Sequence, residues 1–199
     1  MLPPPMLARP DRLPRGDYGY EVKWDGFRAL VSTEQGLEVR SRRGWEMSRL
    51  VPELARLPTG LALDGELVAF GPDRRPSFPL LSRRLLGPRT PVPVVLVVFD
   101  VLRVEGEDAM CLPYRERRAL LEALELDGPH WQTPPAFDDG EALLEATGRY
   151  GLEGIVAKKR SEPYRPGERR WIKVKHRDYW RFGQGLGYGA MHEGSACRP

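Results

Sequence analysis

Apolar and polar positions alternate along much of this chain with a period of two, and glycine-bearing turns interrupt the alternation at short intervals. Residues 18–24 (Tyr-Gly-Tyr-Glu-Val-Lys-Trp), 27–32 and 37–42 read as successive antiparallel strands, with turns at Asp25-Gly26 and Gln35-Gly36. Residues 61–70 predict a further strand across a second Asp-Gly step. The run 92–102 is almost continuously apolar, as expected of a strand buried in a sheet. Residues 155–159 and 171–175 complete the strands, joined by a loop bearing Pro and Gly. Helical spacing takes over at 47–57 (Leu50, Val51, Leu54, Leu57), stopping before Pro58, and at 77–86, with Arg83 and Arg84 on the exposed side. Residues 114–126 predict a helix opened by Pro113, and 141–150 one ended by Gly151. Short antiparallel strands with interspersed helices predict an α+β fold, antiparallel sheets flanked by helices. The proline-rich residues 1–17 read as an extended lead-in, 18–177 as the folded domain and 178–199 as a glycine-rich tail.

Composition narrows the class without deciding it. The chain has 199 residues, 41% hydrophobic, enough for a real core. Net charge is only +3, but the basic residues cluster: Arg40, Arg42 and Arg43 together, then Arg74 and Arg75, and nine Lys or Arg against two Glu from Lys158 to Arg177. Such clusters suit phosphate-bearing partners, although a basic run is more often a solvated face. Cys111 and Cys197 are too few and too far apart for a disulfide framework. No apolar run reaches membrane-spanning length and the N-terminus lacks a signal-peptide core, so a cytoplasmic protein with no membrane partner is expected.

The densest chemistry lies in Glu21-Val22-Lys23-Trp24-Asp25-Gly26-Phe27-Arg28. An exposed lysine amine has a pKa of ~10.4 and is not a nucleophile at neutral pH. In a pocket that desolvates such an amine and gathers cations around it, the lone pair is freed. Asp25, at the turn, could orient the amine or accept its proton, and Gly26 would let a ligand approach the backbone. Glu21 precedes Lys23 by two and shares its face. The plain alternatives are a hairpin with a surface lysine and a sheet salt bridge from Glu21 to an arginine. Lys173 and Lys175 also share a face and repel each other unless an anion sits there.

The series continues with Ser41-Arg42-Arg43-Gly44, Leu63-Asp64-Gly65-Glu66-Leu67-Val68, Phe99-Asp100-Val101-Leu102, Glu153-Gly154-Ile155-Val156-Ala157-Lys158 and Trp171-Ile172-Lys173-Val174-Lys175. With Lys23-Trp24-Asp25-Gly26, these motifs resemble in kind and order those of the covalent nucleotidyltransferases, specifically the ATP-dependent DNA ligases of the bacterial end-joining and repair type. The likeness runs from about Pro5 to Arg177. It implies the adenylation-domain fold, ATP and Mg²⁺ or Mn²⁺ as cofactors, and nicked double-stranded DNA as partner in repair or recombination. By the same resemblance Lys23 is the nucleophile that takes AMP. Arg28 and Arg42 contact ribose or phosphate, Glu21 lies near the adenine amino group, and Phe99 stacks on adenine. Glu153 serves the metal, and Glu66 the ribose, the metal or both. Lys173 and Lys175 hold the α-phosphate, with Lys158 either adding to that cationic wall or solvated. Asp64 is expected to serve a strand turn and Trp171 to pack.

One departure stands out. In the family an oligonucleotide-binding (OB) barrel follows the last lysine motif, whereas His176 to Pro199 is too short for five strands. The expectation is therefore an adenylation domain without a C-terminal OB barrel: a fragment, a truncated product, or a chain working with a separate OB-fold domain or repair partner. Two other readings stay open, a non-ligating nucleotide- and DNA-binding module and an RNA ligase or GTP-using capping enzyme. The intact set of Lys23, Asp25, Glu66, Glu153, Lys173 and Lys175 favours the ligase.

Overall fold

The computed structural model describes residues 1–87 and 91–179. Its elements in chain order are β1 (Leu7–Pro10), β2 (Tyr18–Val22), β3 (Phe27–Ser32), β4 (Glu38–Ser41), β5 (Leu61–Val68), α1 (Phe78–Leu86), β6 (Val95–Val104), β7 (Glu107–Asp108), α2 (Tyr114–Ala123), β8 (Asp127–Gly128), β9 (Trp131–Gln132), α3 (Gly140–Arg149), β10 (Gly154–Lys159) and β11 (Arg169–Lys175). Strands β1-β11-β10-β2 form one sheet, and β4-β3-β5-β6-β9-β8 the other, with β7 paired to β6. The α+β class expected from the sequence is what forms. Pairing is antiparallel except for β1 with β11 and β6 with β9.

The period of two becomes three apolar layers. Tyr20, Ile155, Ala157 and Ile172 turn one face of the four-stranded sheet toward Leu143 of α3. Ala29, Val31, Leu63, Leu67, Val98 and Val101 turn the far face of the larger sheet toward Leu81 and Leu85 of α1 and Leu121 of α2. Between the sheets sit Met6, Leu30, Ala62, Leu102, Tyr164 and Trp171. Strands β3, β5 and β6 thus commit one side to a helix layer and the other to the space between the sheets.

Several expectations change. The lead-in is not merely extended: β1 runs parallel to β11, Leu7 N donates to Glu168 O at 2.7 Å, and Met6 is buried. Residues 47–57 form two 3₁₀ turns, Ser48–Leu50 and Pro52–Arg56, rather than a helix. Pro52 lacks an N–H and forces Val51 out of helical backbone, to φ −132°. The apolar spacing still delivers Val51, Leu54 and Leu57 to the core. Arg84 is not free on α1 but pairs with Glu53 at 3.3 Å. Among the described residues no helix is long and apolar enough to cross a membrane. Of the glycine-rich tail expected at 178–199, residues 180–199, with Cys197, lie outside the described residues.

Two glycines set the strand crossing on which the site depends. A Cβ on Gly26 would lie 2.0 Å from the Leu67 carbonyl oxygen. The approach of β5 is therefore itself enough to require glycine at 26, a position that also lines the cleft described below. Gly154 has φ +143°, and a Cβ there would lie 2.0 Å from Val174 O. Its carbonyl accepts the Lys23 backbone N–H at 2.9 Å, which holds the lysine at the end of β2.

Candidate active site

The inward faces of the two sheets carry the polar residues that the helix-facing sides exclude. Glu21 and Lys23 project from the end of β2, Lys158 from β10, and Lys173 and Lys175 follow the inward Trp171 at alternate positions on β11. Opposite them stand Arg28 on β3, Asp64 and Glu66 on β5 and Phe99 on β6. All of these except the fully buried Asp64 line a cleft of about 730 Å³, as do Asp25, Arg42 and Glu153, so every site residue singled out from the sequence is on its wall.

One end of the cleft is charged. Lys23 Nζ donates to Glu153 Oε2 at 2.5 Å, and Lys175 Nζ pairs with the other oxygen of the same carboxylate. Glu153 is buried, which by itself would raise its carboxyl, but the two lysines outweigh burial and hold it below the usual carboxylate range. The expected lysine wall therefore has a carboxylate at its centre, and Lys175 is not a free cation. Lys173 makes no ion pair among the described residues. Burial, then the charges of Lys175 and Lys23, lower its amine below the ordinary lysine value, against the pull of Glu153. Arg42 stands exposed at the rim. Asp25 is buried and accepts from the Tyr179 hydroxyl at 3.0 Å. The segment after β11 is fastened beside it: His176 N donates to Glu153 O at 3.1 Å, and its ring lies 3.0 Å from Thr147 Oγ1. His176 and Tyr179 line the cleft and carried no sequence signal, since a lone His and Tyr beyond the last strand belong to no pattern.

The other end is aromatic. Phe99 and Trp171 meet edge to face, centroids 5.9 Å apart. The Arg28 guanidinium lies 4.6 Å from the Phe99 ring centroid, and its Nε and one Nη each contact Asp64 at 2.5 Å while that Nη also donates to Met6 O at 3.0 Å. Arg28 is thus largely committed to protein partners, leaving Nη1 for the cleft. Asp64, expected at a turn, is buried within β5 and also accepts from Tyr164 OH at 2.6 Å. Glu21 is buried as well. It accepts from Tyr114 OH at 2.6 Å and pairs with Lys158 at 2.8 Å, so its partner is a lysine, with Arg118 farther off at 3.9 Å. Lys158 is neither solvated nor part of the phosphate wall but 1% exposed. Burial pulls its amine below the usual value although Glu21 and Asp100 oppose the shift.

Glu66 sits between the two ends and accepts no hydrogen bond from any described residue. Burial pushes its carboxyl up to about 7, against the pull of Arg28 and Lys23. Beneath Phe99, Asp100 and Arg117 form a bidentate pair at 2.7 and 3.0 Å, both fully buried. The sequence placed Arg117 on an ordinary amphipathic helix and offered no hint of this anchor. Among the described residues no three His, Cys, Asp or Glu gather as a ready-made metal cage.

Comparison with known proteins agrees with this geometry. The family model described as "ATP dependent DNA ligase domain" matches residues 5–175. The multifunctional non-homologous end joining protein LigD of Mycolicibacterium smegmatis is 35% identical over 183 residues, covering 86% of this chain and 23% of that protein. The SPbeta prophage-derived DNA ligase-like protein LigB of Bacillus subtilis is 32% identical, covering 88% of this chain and 68% of that protein. The ligase domain of LigD from M. tuberculosis superposes with a TM-score of 0.77 at 31% identity, over 87% of this chain and 60% of that one. Mycobacterial DNA ligase D solved in complex with ATP and MES gives 0.76 at 31%, with the same coverage. The chain thus spans about a quarter of the LigD protein and some two thirds of LigB. With the motif-bearing cleft and these matches in hand, the chain belongs to the ATP-dependent DNA ligase domain family.

Proposed function

We propose that this site carries out the adenylation step of a DNA ligase. The Lys23 amine attacks the α-phosphorus of ATP, an N–P bond forms, and the bond to pyrophosphate breaks. AMP stays on Nζ as a phosphoramidate and is then passed to a DNA 5′-phosphate so that a 3′-hydroxyl can seal the nick. The observation that carries the reading is the position of Lys23 Nζ in the cleft. It lies at the charged end, hydrogen-bonded to Glu153 at 2.5 Å, within a cleft whose other end is aromatic. Phe99 and Trp171 offer ring surface to a base, which is sequence-tolerant affinity. Lys173, Lys175 and Arg42 offer cations to the phosphates. Glu153 Oε2 already accepts a hydrogen bond from the amine and fixes Nζ at the charged end of the cleft.

Glu66 and Glu153 supply hard carboxylate oxygens, and Glu66 has no competing hydrogen-bond donor among the described residues. Mg²⁺ takes only one or two protein carboxylates beside phosphate oxygens and water, so the pair fits Mg²⁺ or Mn²⁺. When bound, the ion neutralises charge on the transferred phosphate.

ATP as the nucleotide is supported by the ATP complex of the mycobacterial relative. Nicked duplex DNA as the acceptor is supported by the family and by the exposed arginines Arg42, Arg43 and Arg49. A separate OB-fold domain or repair partner would complete the DNA clamp, and the cytoplasm supplies both ATP and DNA. Intact-mass spectrometry after incubation with ATP and Mg²⁺ tests the chemistry. One AMP-sized adduct is expected on the unaltered chain and none on Lys23→Ala or Lys23→Arg, since a guanidinium stays protonated. An adduct on Lys23→Ala, or none on the unaltered chain, refutes the assignment.

A further inference from the structure

At the aromatic end of the cleft a lysine side chain is buried that no step of the adenylation chemistry uses. Lys158 is 1% exposed, yet its ammonium has compensation on every side. It pairs with Glu21 Oε2 at 2.8 Å and donates to the Phe99 carbonyl oxygen at 2.7 Å. The rings of Trp171, Phe99 and Tyr114 surround it with centroids at 4.5, 4.7 and 5.2 Å. A lysine kept merely for packing would be replaced at less cost by an apolar residue of the same length.

The Phe99 contact has a backbone cause. Along β5 and β6, Asp64 stands opposite Asp100 and Gly65 opposite Val98, so Phe99 is the extra residue of a β-bulge and has no partner on β5. Bulges re-aim a side chain and leave a ladder group to be satisfied elsewhere. Lys158 satisfies it. One ammonium therefore ties Glu21, on the four-stranded sheet, to Phe99, on the seven-stranded sheet, across the end of the cleft. Both tied residues line the cleft.

We infer that Lys158 is a positioning residue for base selection: by pinning the Glu21 carboxylate and the bulged Phe99 together it sets which purine the cleft accepts. The inference rests on the adenylation reading above. Glu21 gives Oε1 to Tyr114 and Oε2 to Lys158, and each carboxylate oxygen has capacity for a second donor. Facing the 6-position of a purine, an ionised carboxylate accepts from the amino group of adenine and repels the 6-oxo group of guanine. That preference requires the carboxylate to stay charged and fixed, which is what a buried counter-ion and a tyrosine hydroxyl provide. Lys23, Glu153 and Lys175 are joined by contacts of their own at the other end, so loss of Lys158 should weaken nucleotide selection far more than the chemical step.

The experiment measures AMP and GMP adduct formation on Lys23 over a range of ATP and GTP concentrations, for the unaltered chain and for Lys158→Met. Expected in the variant are a KM for ATP raised roughly tenfold or more, a maximal rate lowered no more than about threefold, and an ATP-over-GTP preference reduced at least tenfold. An unchanged preference, or a loss confined to the maximal rate, overturns the inference. If Lys158→Met loses its fold by circular dichroism, Glu21→Gln and the double variant Glu21→Gln/Lys158→Met carry the test, because the double variant buries no unpaired charge. Equal ATP-over-GTP preference in those two supports action through Glu21; a further tenfold drop in the double variant overturns it. Failure of the unaltered chain to form any adduct refutes the adenylation reading itself, and the inference with it.

Discussion

Replacing Glu66 by Gln should stabilise the ligand-free protein at alkaline pH and leave it nearly unchanged in acid. Glu66 lies on β5 facing the cleft, and burial raises its carboxyl from the ordinary 4.5 to about 7. A raised carboxyl pKa means that the folded state binds the proton more tightly than the unfolded chain. Stability from this group is therefore present below about 4.5, falls as pH rises through the window from 4.5 to 7, and is lost above it. The two pKa values differ by about 2.5, which at ~1.4 kcal/mol for each is an upper figure of ~3.5 kcal/mol, and water reaching the partly open cleft reduces it to ~1–3 kcal/mol. Gln keeps the shape of the protonated acid and removes the titration. The advantage of Glu66→Gln should thus be close to zero at pH 4 and reach its full value by pH 8, a rise in Tm of several degrees at roughly 2–4 °C per kcal/mol for a chain of this size. Urea unfolding at a series of pH values is the direct assay. An advantage independent of pH, or none at pH 8, would refute the reasoning. The same variant should form the Lys23 adduct poorly, which gives a physical reason to keep a carboxylate that costs stability.

Three further outcomes follow from particular contacts. Arg117→Met leaves Asp100 charged and buried without its partner, so unfolding free energy should fall by roughly 3–5 kcal/mol in denaturant titrations; a loss below ~1 kcal/mol would show that the pair is not buried as described. Gly26→Ala must displace the Leu67 carbonyl 2.0 Å away and should destabilise by at least ~1–3 kcal/mol while also lowering adduct yield per folded molecule. DNA binding, read by fluorescence anisotropy, should weaken at least roughly tenfold between low and physiological salt with little sequence preference. Salt-insensitive binding would contradict contact through phosphates.

The alternation of polar and apolar residues was enough to place most strands, and the site residues picked out in the sequence all line one cleft. A period of two assigns each side chain to one of two faces whatever the sheet later packs against. For that reason Glu21 could be put on the side of Lys23, and Lys173 on the side of Lys175, before any pairing was known. The 3₁₀ turns at 48–56 were missed because apolar spacing reports which residues go inward, while Pro52 decides how the backbone carries them there. β1 was missed because its pairing with β11 joins residues some 160 positions apart, and no local pattern registers a partner so distant. What only the tertiary structure decided was the ownership of each charge: Asp64 with Arg28 and not a turn, Glu153 between Lys23 and Lys175, Lys158 buried against Glu21 and Phe99. Charge identity is written residue by residue, but the partner and the solvation that determine what a charge does are set by which strands the chain brings face to face.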